Sequence, residues 1–165
     1  MRSKYSITKA LCAHVPLALE LGERDKIFYE FYSYSKFGFF SAEDLYSKFE
    51  RAQNEAHYLV MENKLTVIGW IVFVFRNEQK TKAEILIKVR KNYDYTDVMS
   101  HSIRSLLPVL GCIGLEHIST KVDANNQLYC RIFEEAGLTP IKQTLPDSNL
   151  NKFIVHLTGF YWCLD

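Results

Sequence analysis

Alternating and continuous apolar runs predict strands near the start and in the middle of the chain. Residues 5–9 fit a first strand. Two runs rich in β-branched and aromatic residues then flank Glu-Asn-Lys-Leu at 62–65, a pattern typical of a β-hairpin with Asn63 at positive φ. The second hairpin strand, residues 65–76, is apolar on both faces, so we expect it in the centre of the sheet. Residues 82–91 are predicted as the next strand.

Apolar residues at helical spacing predict four helices. The first is expected over residues 15–34, and the second over residues 41–52, after the capping sequence Ser-Ala-Glu-Asp. The third runs from Thr96 to Leu110 and buries four aliphatic residues at a spacing near 3.6: Ile103, Leu106, Leu107 and Leu110. The fourth runs from Asn126 to Ala136 and stops at Gly137, since glycine favours the conformation that closes a helix.

Two further strands complete the predicted order. Residues 116–122 and 152–157 are predicted as short strands on either side of the fourth helix. A hairpin followed by alternating strands and helices indicates an α/β fold with a mixed sheet. No repeat or Pro/Gly/Ser linker interrupts the sequence, so a single domain over 1–165 is expected.

Composition and charge exclude several classes of protein. Of the 165 residues, 48% are hydrophobic and 24% are charged, which is typical of a folded globular protein. A net charge of +1 argues against a nucleic-acid partner, which favours a basic face. No run of about 20 apolar residues predicts a membrane span. The four cysteines form neither C-x-x-C pairs nor a zinc pattern, so free thiols in a reducing cytoplasm are expected, without a metal site.

The predicted fourth helix carries residues that point to a family. Asn126 is followed eleven and twelve residues later by Gly137 and Leu138. Three more residues fit the same pattern: Arg131, Phe133 and Glu134. Together with the central hairpin, this segment resembles the GNAT superfamily of N-acetyltransferases over roughly residues 42–140. The resemblance implies a mixed, mostly antiparallel central sheet, flanked by helices, in which the parallel strands four and five splay apart.

The resemblance also implies a co-substrate, acetyl-CoA or another acyl-CoA, in the splay between those two strands. The main chain of Ile87, Lys88 and Val89 would pair with its pantetheine arm, as an added strand pairs with a sheet edge. Asn126 would contact the same arm, although asparagine at this point also fits a turn and a helix cap. Arg90 and Arg104 would supply positive charge for the phosphates.

Two segments depart from the family's pattern. Where the family has an arginine and two glycines that cradle the pyrophosphate, alignment places Asp94, Asp97 and Met99. Thr96 or Asp97 is instead expected to cap the third helix. The family's tyrosine acid corresponds to Phe133, which has no proton to donate, so Tyr129, one turn earlier, is the candidate substitute.

Candidate bases are needed because direct acyl transfer must remove a proton from the attacking amine. The candidates are Glu84, at the start of the fourth strand, and His117, at the start of the fifth. His57 and His156 fit core or surface positions better, and Cys130 fits a buried thiol without a partner base.

Three functions remain open from the sequence. The first is an acyl-CoA-dependent N-acyltransferase acting on the amine of a small molecule, such as an amino sugar or amino acid. The second uses an acyl carrier protein as donor, docked on a basic patch of Lys88, Arg90, Lys91 and Arg104. The third is a catalytically inactive binding or inhibitory module. The aromatic segment 27–40 would suit an acceptor wall, a long acyl chain or a homodimer contact.

Overall fold

The computed structural model describes residues 4–17, 50, 54–90, 94–141 and 150–156, and the statements below concern these residues. One sheet contains seven strands, in chain order β1 (Tyr5–Lys9), β2 (Glu55–Glu62), β3 (Thr66–Phe75), β4 (Lys82–Val89), β5 (His117–Asp123), β6 (Thr139–Ile141) and β7 (Leu150–His156). Two α-helices have described bounds, α1 (Thr96–Cys112) and α2 (Gln127–Glu135), and Cys12–His14 form a 3₁₀ turn.

The order of strands across the sheet is β1-β2-β3-β4-β5-β7-β6. β1 pairs antiparallel with β2, and β7 pairs antiparallel with both β5 and β6. β4 and β5 pair in parallel. The predicted mixed α/β sheet with parallel fourth and fifth strands is therefore confirmed.

The chain divides into two compact units. The first comprises Met1–Val72 and Ile87–Tyr93, and the second comprises Phe73–Leu86 and Asp94–Asp165. The expectation of a single domain over 1–165 stays a prediction.

The first unit contains the predicted hairpin. Its turn has positive φ at Asn63 (51°) and at Lys64 (60°), and the Leu65 N–H donates to the Glu62 carbonyl over 3.1 Å. The role of Asn63 is confirmed, while Lys64 adopts the same conformation without the side chain that favours it. The interior of this unit is formed by fully buried side chains of β2 and β3, namely Leu59, Val60, Ile68, Trp70 and Ile71.

The second unit is organised around α1 and α2, which pack against each other. The four aliphatic residues predicted for the inner face of the third helix are all buried. The helix continues past Pro108 to Cys112 and so ends two residues later than predicted. On the other helix, Phe133 is 1% exposed, and its ring lies 5.9 Å from that of Phe153 on β7.

α2 ends as its sequence predicts. Gly137 has φ +98°, its N–H donates to the Glu134 carbonyl, and the Leu138 N–H donates to the Phe133 carbonyl. These two bonds form a Schellman motif, which satisfies carbonyls left without partners at a helix end. β6 follows directly and was not predicted, because three residues are too few to show a strand pattern.

Several predicted elements lie outside the described residues. These are the first two helices, apart from helical residues 15–17 and Glu50, and the aromatic segment 27–40. Among the helices that the structure describes, none is both long enough and apolar enough to cross a membrane.

Candidate active site

The parallel ladder between β4 and β5 is short and lies in the second unit. It joins Lys82 with His117, Ala83 with Ile118, and Glu84 with Ser119. Both strands continue beyond the paired stretch, β5 as far as Asp123. Strand edges that leave such a ladder present main-chain groups with which an extended, amide-bearing ligand can pair.

The ladder brings the two candidate bases onto one face of neighbouring strands. Side chains alternate along a strand, so Lys82 and Glu84 share a face, as do their partners His117 and Ser119. Glu84 and His117 therefore lie two residues apart on adjacent strands, at the stretch where pairing ends. The Glu84 carboxylate accepts a hydrogen bond from the Arg76 guanidinium, which occupies one of its oxygens.

His117 lies beside a second imidazole. Its ring centroid is 4.9 Å from that of His156 on β7, with the planes tilted by 57°. Partial burial lowers the pKa of His117 below its ordinary value of 6.5, and the charges of His156, Lys152 and Lys82 lower it further. At neutral pH the ring is therefore mainly uncharged and holds a lone pair that can accept a proton.

Asn126 caps α2 through its side chain. Its Oδ1 accepts a hydrogen bond of 3.2 Å from the Tyr129 N–H, and Asp123 Oδ1 accepts one of 2.8 Å from the Asn125 N–H in the preceding turn. The predicted helix cap is confirmed. The predicted contact of Asn126 with the donor arm stays a prediction.

The remaining candidates on α2 are half-buried. Tyr129 follows the cap in the first turn, and its predicted role as an acid stays a prediction. The Cys130 thiol is half-buried rather than buried, and its sulfur lies 3.8 Å from the Asp123 carbonyl oxygen. Phe133 fills the core, so its side chain serves packing.

Arg104 has a structural partner. Its guanidinium donates to the main-chain carbonyl of Glu135, in the last turn of α2. The Glu135 carboxylate in turn accepts from Arg131 Nε at 2.8 Å and from the Ser100 hydroxyl at 3.4 Å. Arg104 thus helps to join α1 to α2, and its proposed use for phosphates stays a prediction.

The N-terminus of α1 already holds a carboxylate. Asp94 Oδ1 accepts hydrogen bonds from the Thr96 amide at 3.0 Å and from the Thr96 hydroxyl at 2.6 Å. The bond with the hydroxyl, followed by the bond with the amide, lowers the pKa of Asp94. The prediction that Thr96 or Asp97 caps this helix is wrong, because the acceptor is the carboxylate of Asp94, two residues before the helix begins at Thr96.

In the first unit, the end of β4 is buried. Ile87, Lys88 and Val89 are 7%, 3% and 4% exposed, respectively. Lys88 therefore cannot belong to an exposed docking patch, and that part of the carrier-protein hypothesis is wrong. Arg90 donates from its main-chain N–H to the Ile68 carbonyl at 2.8 Å and from Nε to the Val67 carbonyl at 2.9 Å. The donor-binding roles of these four residues stay predictions.

A buried polar network in the same unit was missed from the sequence. His57 Nε2 lies 2.7 Å from Glu55 Oε2, and the Trp70 indole N–H donates to His57 Nδ1 over 3.1 Å. His57 was expected at a core or surface position, and it lies in the core, where it is 3% exposed. The one available signal was the Glu-x-His spacing, which places both side chains on the same face of a strand.

Comparison with known proteins identifies the fold. No protein-family model and no curated protein matches the sequence. A solved spermidine N-acetyltransferase from Vibrio cholerae, in complex with CoA and spermine, is 13% identical over 96% of this chain and 99% of its own, with a TM-score of 0.70. A chimera of that enzyme with hSSAT is 14% identical over 94% and 98% of the two chains, with a TM-score of 0.74.

A third structure has a different origin. It is the protein yncA from Salmonella typhimurium, which is named as an acetyltransferase and was solved with acetyl-CoA. Its sequence is 12% identical to this chain over 94% of this chain and 95% of its own, and the TM-score is 0.71. Likeness at such low identity shows the fold alone. The predicted GNAT-like fold is thereby confirmed.

Proposed function

We propose that this protein is an acyl-CoA-dependent N-acyltransferase that transfers an acetyl or longer acyl group to the amine of a small molecule, such as an amino sugar or amino acid. The observation that carries the proposal is the parallel β4–β5 ladder that ends after three residue pairs while both strands continue. Neighbours with the same fold were solved with CoA and spermine, or with acetyl-CoA, which supports a thioester donor and an amine acceptor.

Donor binding is assigned to main-chain groups. The amides and carbonyls of Ile87, Lys88 and Val89 would pair with the pantetheine arm, which agrees with the burial of their side chains. Asn126 is proposed separately as a donor contact, made by the side chain that also caps α2. Arg90 and Arg104 are proposed to offset phosphate charge through the permanent positive charge of their guanidinium groups.

The base is assigned to His117. The amine nitrogen attacks the thioester carbonyl carbon, His117 accepts the proton that the nitrogen loses, and the carbon–sulfur bond breaks to release the thiolate. The lowered pKa of His117 keeps its lone pair available at neutral pH. Glu84 is the second choice, because Arg76 already binds its carboxylate. Tyr129 is proposed to return a proton to the departing sulfur.

One observation favours a second candidate donor. The Asp94 carboxylate occupies the first amide of α1, and a helix N-terminus is a common place for phosphate groups to bind. An acyl group delivered by a carrier protein needs no pyrophosphate site. The carboxylate at the N-terminus of α1 would then not impair catalysis.

We place the reaction in the cytoplasm. Among the described cysteines, the exposed Cys112 is a free thiol, which suits a reducing compartment. A homodimer contact through the aromatic segment 27–40 stays a prediction.

Calorimetric titration with acetyl-CoA, a long-chain acyl-CoA and free pantetheine tests the proposal. Thiol release should then be followed with a panel of amino sugars, amino acids and polyamines. Saturable binding and amine-dependent thiol release are expected. Binding of pantetheine without binding of CoA would favour the carrier-protein donor. Absence of binding to all three donors would overturn the CoA mechanism and leave an inactive binding module.

A further inference from the structure

His117 and His156 face each other across two neighbouring strands. They are direct partners in the antiparallel register of β5 and β7, which extends over seven residue pairs. Side chains at directly opposite positions point to the same face and lie close together. The ring centroids are 4.9 Å apart, and both side chains reach solvent, since His117 is half-buried and His156 is exposed. Two imidazoles are thus held together on a rigid, solvent-accessible surface.

We propose that His117 and His156 form a two-histidine binding site for a borderline transition-metal ion such as Zn²⁺. Neutral imidazole nitrogen is a preferred ligand of Zn²⁺, Ni²⁺ and Cu²⁺, with a zinc–nitrogen distance of about 2.0–2.1 Å. Rings at this separation can each turn one nitrogen towards a single ion between them. Water completes the coordination from the exposed side of the sheet.

The strand pairing favours metal binding, because it fixes the main-chain positions of both histidines before the ion arrives.

Two features limit the affinity of the site. Lys82 lies opposite His117 on β4, and Lys152 lies four residues before His156 on the same face of β7, so two positive charges act on the site. Among the described residues, no cluster of three or more potential metal ligands occurs, so the protein supplies two ligands. We expect weaker affinity than that of structural zinc sites with four protein ligands.

Metal binding would also affect the proposed reaction. A bound ion takes the lone pair that His117 needs to accept a proton. Zn²⁺ should therefore inhibit acyl transfer, and this consequence rests on the proposed function. The binding itself does not, since it can be measured without donor or acceptor.

Calorimetric titration of the full chain with Zn²⁺ at neutral pH tests the site. Variants His117→Ala and His156→Ala should each weaken the strongest binding by at least about 10-fold, the loss seen when even an outer-sphere partner is removed. His101→Ala removes an exposed histidine on α1 and is the matched control. All variants keep the four cysteines, so thiol binding cancels in the comparison. Mg²⁺, which prefers oxygen ligands, should not bind there.

NMR of the imidazole resonances separates the site from non-specific binding. His117 and His156 should shift together on addition of Zn²⁺, while His101 should not. Affinities of the two variants within twofold of the unaltered protein, with their circular dichroism unchanged, would overturn the proposal. Zn²⁺ binding without any acyl transfer would leave the metal site standing and remove only the proposed reaction.

Discussion

The indole N–H of Trp70 donates a hydrogen bond of 3.1 Å to Nδ1 of His57 in the interior of the first unit. An indole nitrogen can only donate, so Nδ1 must accept, and the proton of the neutral imidazole must sit on Nε2. That nitrogen lies 2.7 Å from the Glu55 carboxylate. One tryptophan on β3 thus selects the tautomer of a buried histidine on β2.

Trp70→Phe should lower the free energy of unfolding by more than the smaller size of the new side chain would cause. It removes the donor to Nδ1, and a buried acceptor left without its partner costs about 1–3 kcal/mol. Urea unfolding measures the free energy. Phe73→Leu is the control, because it shrinks an equally buried side chain of β3 without removing a hydrogen-bond donor. NMR of His57 should show Nε2 protonated, and protonation of Nδ1 instead would contradict the assignment.

Local patterns predicted those elements whose stabilising contacts are local. The hairpin turn at Asn63 and the stop at Gly137 each depend on one residue's preference for positive φ. The cap by Asn126 depends on an amide three residues away. In each case, the residue and its partner lie within one short window of sequence.

Features that depend on distant partners could not be predicted in this way. β6 has three residues, all of them exposed, and includes Pro140, so its pairing with β7 has no pattern of its own. The Glu55–His57–Trp70 network requires the β2–β3 register, which places Trp70 beside a residue 13 positions earlier. At the candidate site, the sequence proposed Glu84 and His117 separately, and the β4–β5 register puts them on one face.

Asp94→Asn should make the free energy of unfolding depend less on pH in the acidic range. The folded-state pKa of Asp94 lies below its ordinary 3.8, because the charged carboxylate accepts two bonds from Thr96. Its contribution is therefore fully present above the ordinary value and is lost as the pH falls through the lowered pKa. Urea unfolding at neutral pH and at several values below about 4 measures the difference.

Asp97→Asn is the matched control for that experiment, since Asp97 is an exposed carboxylate in the first turn of α1, three residues after Asp94. Equal effects of the two substitutions would assign the result to the general charge at the helix terminus. They would contradict a specific role for the bonds between Asp94 and Thr96. If CoA phosphates compete for this terminus, Asp94→Asn should also tighten acetyl-CoA binding in calorimetry.

Asn126→Ala should lower the free energy of unfolding by about 0.5–2 kcal/mol, the usual cost of losing a helix cap. Asn126→Ser is the matched variant, because serine retains a capping oxygen but has no amide. Urea unfolding should place the serine variant near the unaltered protein. A fall in acyl-CoA affinity for the serine variant would then report a donor contact separate from the cap. Unaltered stability of the alanine variant would contradict the capping role.

His117→Gln should reduce kcat/KM for acyl transfer by about 10²–10⁴-fold, the range expected when a general base is removed. In the unaltered protein, kcat/KM should fall as the pH drops through an apparent pKa below 6.5, because burial and neighbouring positive charges favour the neutral ring. His156→Gln removes one of those charges, so the apparent pKa should move upward. Steady-state thiol release across the pH range measures both effects.

His101→Gln, on the exposed face of α1, is the control for this pH profile and should leave it unchanged. Glu84→Gln distinguishes the two candidate bases, because Arg76 already binds the Glu84 carboxylate and its loss should have the smaller effect. A larger loss for Glu84→Gln than for His117→Gln would assign the base to Glu84. His117 would then serve as a neighbour on the same face of the sheet rather than as the proton acceptor.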